Sequence, residues 1–168
     1  MLVQICGLPG TGKSTIAGRI ADQRQVVLLR IDAIEAAMWR NGLSHEQTGV
    51  AAYSVAHAIA LPHLRRGLTV VADAVSAVAA AREGWQGTAE HAGVPLRVIE
   101  TTCPDLVEHR RRVTTRVSDL AGFTVPTWDQ VQAVAEEYER RSDQRLELDT
   151  RRELDACVRD ALAYLDQS

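Results

Sequence analysis

The segment Gly7-Leu8-Pro9-Gly10-Thr11-Gly12-Lys13-Ser14 constrains this chain more than any other stretch, because glycines packed this densely belong where a backbone must curl tightly. It matches G-x-x-x-x-G-K-[ST] without a gap. It also follows the apolar run Leu2 to Cys6 and opens an amphipathic stretch carrying Ile16, Ala17, Ile20 and Ala21. Strand, glycine loop and helix in that order turn successive N–H groups inward, and the helix N-terminus adds roughly half a positive charge. The segment reads as a cradle for phosphate.

Of the 19 basic residues all but Lys13 are arginine, so the one compact ammonium lies inside this loop. As a Walker A motif, residues Gly7 to Thr15 are expected to bind ATP, with Lys13 reaching the β/γ-phosphates and Ser14 offering its hydroxyl to Mg²⁺. The only asparagine is Asn41, so the Asn-Lys-x-Asp element that reads guanine cannot occur. With 168 residues there is room for one domain, 1–168, and none for the added subdomains of a mechanical ATPase or helicase.

A net charge of −3 gives no field to attract a polyanion, which makes nucleic acid an unlikely partner and small ligands the expected ones. Cys6, Cys103 and Cys157 lack CxxC spacing and suggest buried thiols in a reducing cytoplasm. No targeting or membrane segment is expected.

Short apolar runs predict five strands, at Leu2 to Cys6, Val26 to Ile31, Thr69 to Ala72, Leu96 to Thr101 and Arg145 to Leu148. Helical patterns predict helices near 13–23, 33–40, 46–66, 79–92, 104–118, 128–141 and 151–166. Pro62 is expected to kink or split the third. Thr127/Gln130 and Thr150/Glu153 have capping-box spacing. The alternation implies a doubly wound α/β fold with a parallel sheet and ligands beyond the strands' carboxyl ends.

Asp32 and Asp73 stand where strands should end, and either suits the acid that holds the metal or takes a proton from an attacking hydroxyl. Asp32 also suits an N-cap for a helix from Ala33, and Asp149 a cap for the last helix. Arg112 and Arg116, four apart on the expected fifth helix, share a face that can fold over a transferring phosphoryl group. A solvated helix face is the alternative for that run. Arg82 and Tyr53 are candidates for contacting the acceptor.

With these residues placed, the chain resembles the small P-loop kinases grouped with zeta-toxin, chloramphenicol phosphotransferase, polynucleotide 5′-hydroxyl kinase, gluconate kinase and adenylyl-sulfate kinase. The resemblance rests on residues 7–15, Arg30-Ile31-Asp32, Val71-Ala72-Asp73, Arg82, the His109 to Arg116 segment, and Leu146 to Thr150. It implies a three-layer α/β/α sandwich of AAA type, five parallel strands in the order 2-3-1-4-5, and a helical lid at about 110–127. It further implies ATP with Mg²⁺, Asp32 as the acceptor-activating acid, Arg112 and Arg116 as lid arginines, and Thr150 and Arg151 beside adenine. Where polynucleotide kinases carry Asp-x-x-Arg, this chain has Asp32-Ala33-Ile34-Glu35, which removes a cation suited to an acceptor phosphate.

The expected activity is transfer of the γ-phosphoryl group of Mg·ATP to a hydroxyl of a small molecule, Lys13, Asp32, Arg112 and Arg116 acting catalytically and Ser14 and Asp73 holding the metal. A nucleotide or nucleic-acid-end kinase is one alternative. An ATP-binding regulatory switch is another, and a monomer or homodimer is expected.

Overall fold

The computed structural model describes residues 1–167. Its elements run β1 (Leu2–Cys6), α1 (Lys13–Arg24), β2 (Val27–Arg30), α2 (Ile31–Arg40), α3 (His45–Arg65) and β3 (Val70–Asp73). They continue with α4 (Ala79–Ala92), β4 (Leu96–Thr102), α5 (Leu106–Thr115), α6 (Trp128–Glu137), β5 (Leu146–Asp149) and α7 (Leu154–Leu165). All strand pairs are parallel, in the order β2-β3-β1-β4-β5. The first strand is therefore central, and the glycine loop leaves from the middle of the sheet's carboxyl edge.

Both faces of the sheet are covered, which is why the inner strands β1 and β3 are buried along their whole length rather than alternating. Val3, Ile5, Val71, Ile99 and Leu148 meet Ile16 and Ile20 of α1 and Val158, Ala161 and Leu165 of α7. On the opposite face Leu2, Val70 and Ala72 meet α3 and α4. There Ala52, Ala56, Ala60 and Leu64 recur every fourth residue, so small side chains let α3 lie close to the sheet and to the fully buried Trp85 of α4. Each large aliphatic side chain sealed in these layers contributes roughly 1.5–3 kcal/mol.

Several boundaries differ from the sequence reading. The third helix passes Pro62 as a single element, because Ala58 and Pro62 both lie on its exposed face near its end, where a missing backbone bond is left to water. The second helix starts at Ile31, so Asp32 sits in its first turn and Arg30, not Asp32, is the capping position. Asp105 caps α5 by accepting from the N–H groups of Val107 and Glu108, and Thr127 caps α6 through the expected box with Gln130. The Thr150/Glu153 box does not form: α7 begins at Leu154, and Asp149 accepts from Arg151 rather than capping a helix. Among the described residues no helix is long and apolar enough to cross a membrane, and all three cysteines are free and buried.

Candidate active site

Close packing shapes the loop first. A Cβ on Gly7, at φ 132°, would lie 2.3 Å from the Thr101 carbonyl of β4, so the chain can turn there only without a side chain. Gly10, at φ 85°, faces Val113 and His109 of α5, and a Cβ there would stand 2.6 Å from Val113 Cγ2. The His109 ring, 4% exposed, donates from Nε2 to the Pro9 carbonyl at 2.8 Å and meets Trp128 edge-on. Thr11 Oγ1 bonds the Leu8 carbonyl and the Thr101 hydroxyl. Sheet and α5 thus hold the loop from two sides.

Lys13 opens α1, buried, with Nζ donating to the Leu8 carbonyl at 3.0 Å. Burial pushes its pKa down while Asp73 and Asp32 pull it up. Asp73, the last residue of β3, is 4% exposed; burial raises its carboxyl, and Lys13, the neighbouring Ser14 hydroxyl and Arg30 draw it back. Asp32 stands nearer the surface, with Arg116 Nη2 3.6 Å from its Oδ2. One turn further along α2, Glu35 is half-buried and pushed up to about 7, by burial first and by Asp32 second.

Lys13 and Ser14 open onto a cavity of about 640 Å³ whose walls also include Gly12, Arg30, Arg112 and Arg116. The arginines reach it by a different route from the one the helical spacing suggested. The fifth helix stops at Thr115, and Arg116 is extended, at φ −65° and ψ 130°, so it shares no helix face with Arg112. Arg112 forks between Glu108 and the hydroxyl and carbonyl of Thr150, while Arg111 closes on the same Glu108 and also lines the cavity. Between them the two arginines hold Glu108 down at about 2.

Thr150 lies beside Gly12, and its hydroxyl also bonds the carbonyls of Thr11 and Thr102. Arg151 is turned onto Asp149, at 2.6 Å, while Arg152 and Leu154 line a smaller recess of about 180 Å³ with Gly12, Thr15 and Thr150. On the other side, Tyr53 accepts from the Ser76 backbone N–H at 3.1 Å. Arg82 donates to the carbonyls of Ser76, Ala77, Glu139 and Arg140 and lies over the Tyr138 ring. Four of its five N–H groups go to backbone carbonyls, so in this structure Arg82 acts as a clamp. That clamp, with Tyr53 and the Gln4 side chain, holds Ser76 in the left-handed region at φ 51°.

Sequence reasoning assigned no individual site role to Arg30, Arg111, Asp119, His109 or Glu35, although Arg30 and the His109 to Arg116 segment carried part of the resemblance. Arg30 lay in view at a strand end, yet only strand pairing shows that it faces Asp73.

Central parallel strand, glycine loop, helix N-terminus and strand-end carboxylates define a P-loop α/β domain with the architecture of the small P-loop kinases. The chain belongs to the AAA domain family, whose model matches residues 2–140. Its fold is similar to that of an adenylyl-sulfate (APS) kinase from Mycobacterium tuberculosis, solved with AMPPNP and APS, at 19% identity and TM-score 0.69. The match covers 99% of this chain and 97% of that one. A gluconokinase from Sinorhizobium meliloti matches at 19% identity and TM-score 0.69, covering 97% and 90%. A sugar kinase from Janibacter sp. matches at 18% identity and TM-score 0.72, covering 98% and 94%. No curated protein matches the sequence.

Proposed function

We propose that this protein is a single-domain kinase that transfers the γ-phosphoryl group of ATP to a hydroxyl of a small molecule. One observation carries the reading: Lys13, Ser14 and buried Asp73 stand at the loop, and Asp32 stands 3.6 Å from Arg116, which lines the same pocket as Lys13 and Ser14. A phosphate cradle alone serves many purposes. A second carboxylate beside it, exposed enough to meet an acceptor, is what transfer to a hydroxyl requires.

The donor set suits magnesium, a hard cation that takes oxygen ligands and keeps waters and phosphate oxygens among them. Ser14 Oγ and the Asp73 carboxylate would hold it, and no cluster of three or more His, Cys, Asp or Glu side chains competes for a metal among the described residues. When bound, the ion neutralises charge on the phosphate oxygens.

Residues of the chain supply the rest. The loop amides from Gly7 to Thr15 and Lys13 bind the phosphates, and the recess beside Thr150 and Leu154 takes the base. Asp32 accepts the proton as the acceptor oxygen bonds to phosphorus and the β–γ bridging bond breaks, leaving ADP. Arg116 stabilises charge on the group in flight, and Arg112 positions Thr150 and the base side of the pocket. The segment 110–127 acts as a lid that excludes water. With Arg82 engaged by carbonyls and Glu35 in place of a cation after Asp32, the acceptor side favours an uncharged hydroxyl compound over a phosphate or a nucleic-acid end.

An acceptor screen with labelled ATP, followed by Asp32→Asn, tests the reading. Transfer should fall roughly 10²–10⁴-fold with nucleotide affinity nearly unchanged. Transfer at the wild-type rate removes Asp32 from the chemistry. Nucleotide binding with no transfer to any hydroxyl compound favours a regulatory switch instead.

A further inference from the structure

Among the arginines that line the phosphate cavity, Arg111 and Arg112 are held by Glu108 of their own helix and Arg116 leans on Asp32. Arg30 is anchored differently. It ends β2, its Cα partner across the ladder is Asp73, and its side chain is 16% exposed. Its Nε, buried and without a hydrogen-bond partner, lies 3.6 Å from Asp73 Oδ2. Sheet and buried acid together fix where the guanidinium points.

What it points at is Asp119. The two terminal nitrogens fork onto the two carboxylate oxygens at 2.6 and 3.1 Å. Asp119 comes from the segment after α5, its side chain is 65% exposed, and it is the one acid among the described lining residues of this cavity. Every other ionisable residue of that lining is a cation.

We propose that Arg30 is a phosphoryl-binding residue of this site and that Asp119 is its internal competitor, occupying the fork that two terminal phosphoryl oxygens would take. This rests on the reading of the loop as a nucleotide site. A guanidinium fork accepts carboxylate and phosphate in the same bidentate geometry, so one can replace the other without moving Arg30. The exchange favours phosphoryl, which carries more charge, while water solvates the displaced and already exposed Asp119. Position decides which phosphate is met. Arg30 stands beside Asp73, the acid whose charge also acts on Lys13, whereas Arg112 turns to Thr150, so the partner of Arg30 is the terminal group of a triphosphate. The pair therefore sets the preference for triphosphate over diphosphate.

Calorimetric titration of the wild type, Asp119→Asn, Arg30→Lys, Arg30→Gln and the Arg30→Gln/Asp119→Asn double variant tests this, with Mg·AMPPNP and Mg·ADP as probes and thermal unfolding as the fold control. Asp119→Asn should tighten AMPPNP by about 3- to 10-fold and leave ADP within about twofold. Arg30→Gln should weaken AMPPNP by about tenfold or more, and Arg30→Lys, charged but without a fork, should recover only part of it. In the double variant the gain from Asp119→Asn should vanish. Weaker AMPPNP binding in Asp119→Asn, equal shifts for both nucleotides, or a gain that persists without Arg30 overturns the assignment. A wild-type chain that binds neither probe overturns the nucleotide reading and this one with it; a wild type that binds both, with Asp119→Asn unchanged, overturns this one alone.

Discussion

Arg116 reaches Asp32, 3.6 Å away, only because the chain leaves α5 one residue before it. Were the helix to continue, Arg116 would stack above Arg112 and point at Thr150 instead. Ending the helix at Thr115 gives the two arginines different partners, Arg116 beside Asp32 and Arg112 on Glu108 and Thr150.

Replacing each arginine by alanine should therefore give different signatures. Arg116→Ala should lower turnover by about 10²-fold or more with ground-state ATP affinity little changed. Arg112→Ala should weaken nucleotide binding and lower the melting temperature, because it removes the donors to the Thr150 hydroxyl and carbonyl. Steady-state kinetics with calorimetry decide; undiminished turnover in both variants and in the double variant returns the segment to a solvated surface.

Lys13→Ala should weaken Mg·ATP binding at least tenfold yet leave the fold as stable or more so, since the substitution removes a buried ammonium whose hydrogen bond is to its own loop. Lys13→Arg should not restore binding, because a planar fork does not fit a site shaped for a point charge. A variant that binds normally ends the assignment of Lys13 to the phosphates.

Stability should report on Glu35. Its folded pKa, about 7, lies above the ordinary carboxylate value of 4.5, so the fold favours the protonated form and bears the cost of the charge above pH 7. That cost fades as pH falls from about 7 towards 4.5. Glu35→Gln should raise stability at pH 8 by on the order of 1 kcal/mol after solvent screening, about 2–4 °C in Tm, and by much less at pH 5. An equal shift at both pH values would show that charge at Glu35 is not the cause.

Gly10→Ala should cost roughly 1–3 kcal/mol and disturb the loop, since the new methyl group meets Val113 Cγ2 and the backbone is left-handed. Adding Val113→Ala relieves the contact but not the backbone strain. Partial recovery in the double variant is the expected result of thermal unfolding; no loss at all in Gly10→Ala would remove the close approach of α5.

The sheet and the loop were legible because their signals are local: apolar runs bounded by glycine, and one motif of fixed spacing. What could not be read depends on partners remote in sequence. Tyr138 to Arg141 follow a helical pattern, yet the chain breaks out of α6 there to bring Tyr138 to Glu100 and Arg141 to Cys6. Thr150 has capping spacing, but Thr11, Thr102 and Arg112 claim its polar groups first. The Arg30–Asp119 fork joins residues 89 positions apart, and no periodicity records it.

The burial of Lys13 also determines how this protein meets amine-directed chemistry. It has a single ε-amino group, 8% exposed and bonded to Leu8. Acylating reagents and enzymes that modify lysine thus find no accessible side-chain amine on the molecule's surface. An amine-reactive probe, once the α-amino group of Met1 is blocked, becomes a reporter of the phosphate loop alone.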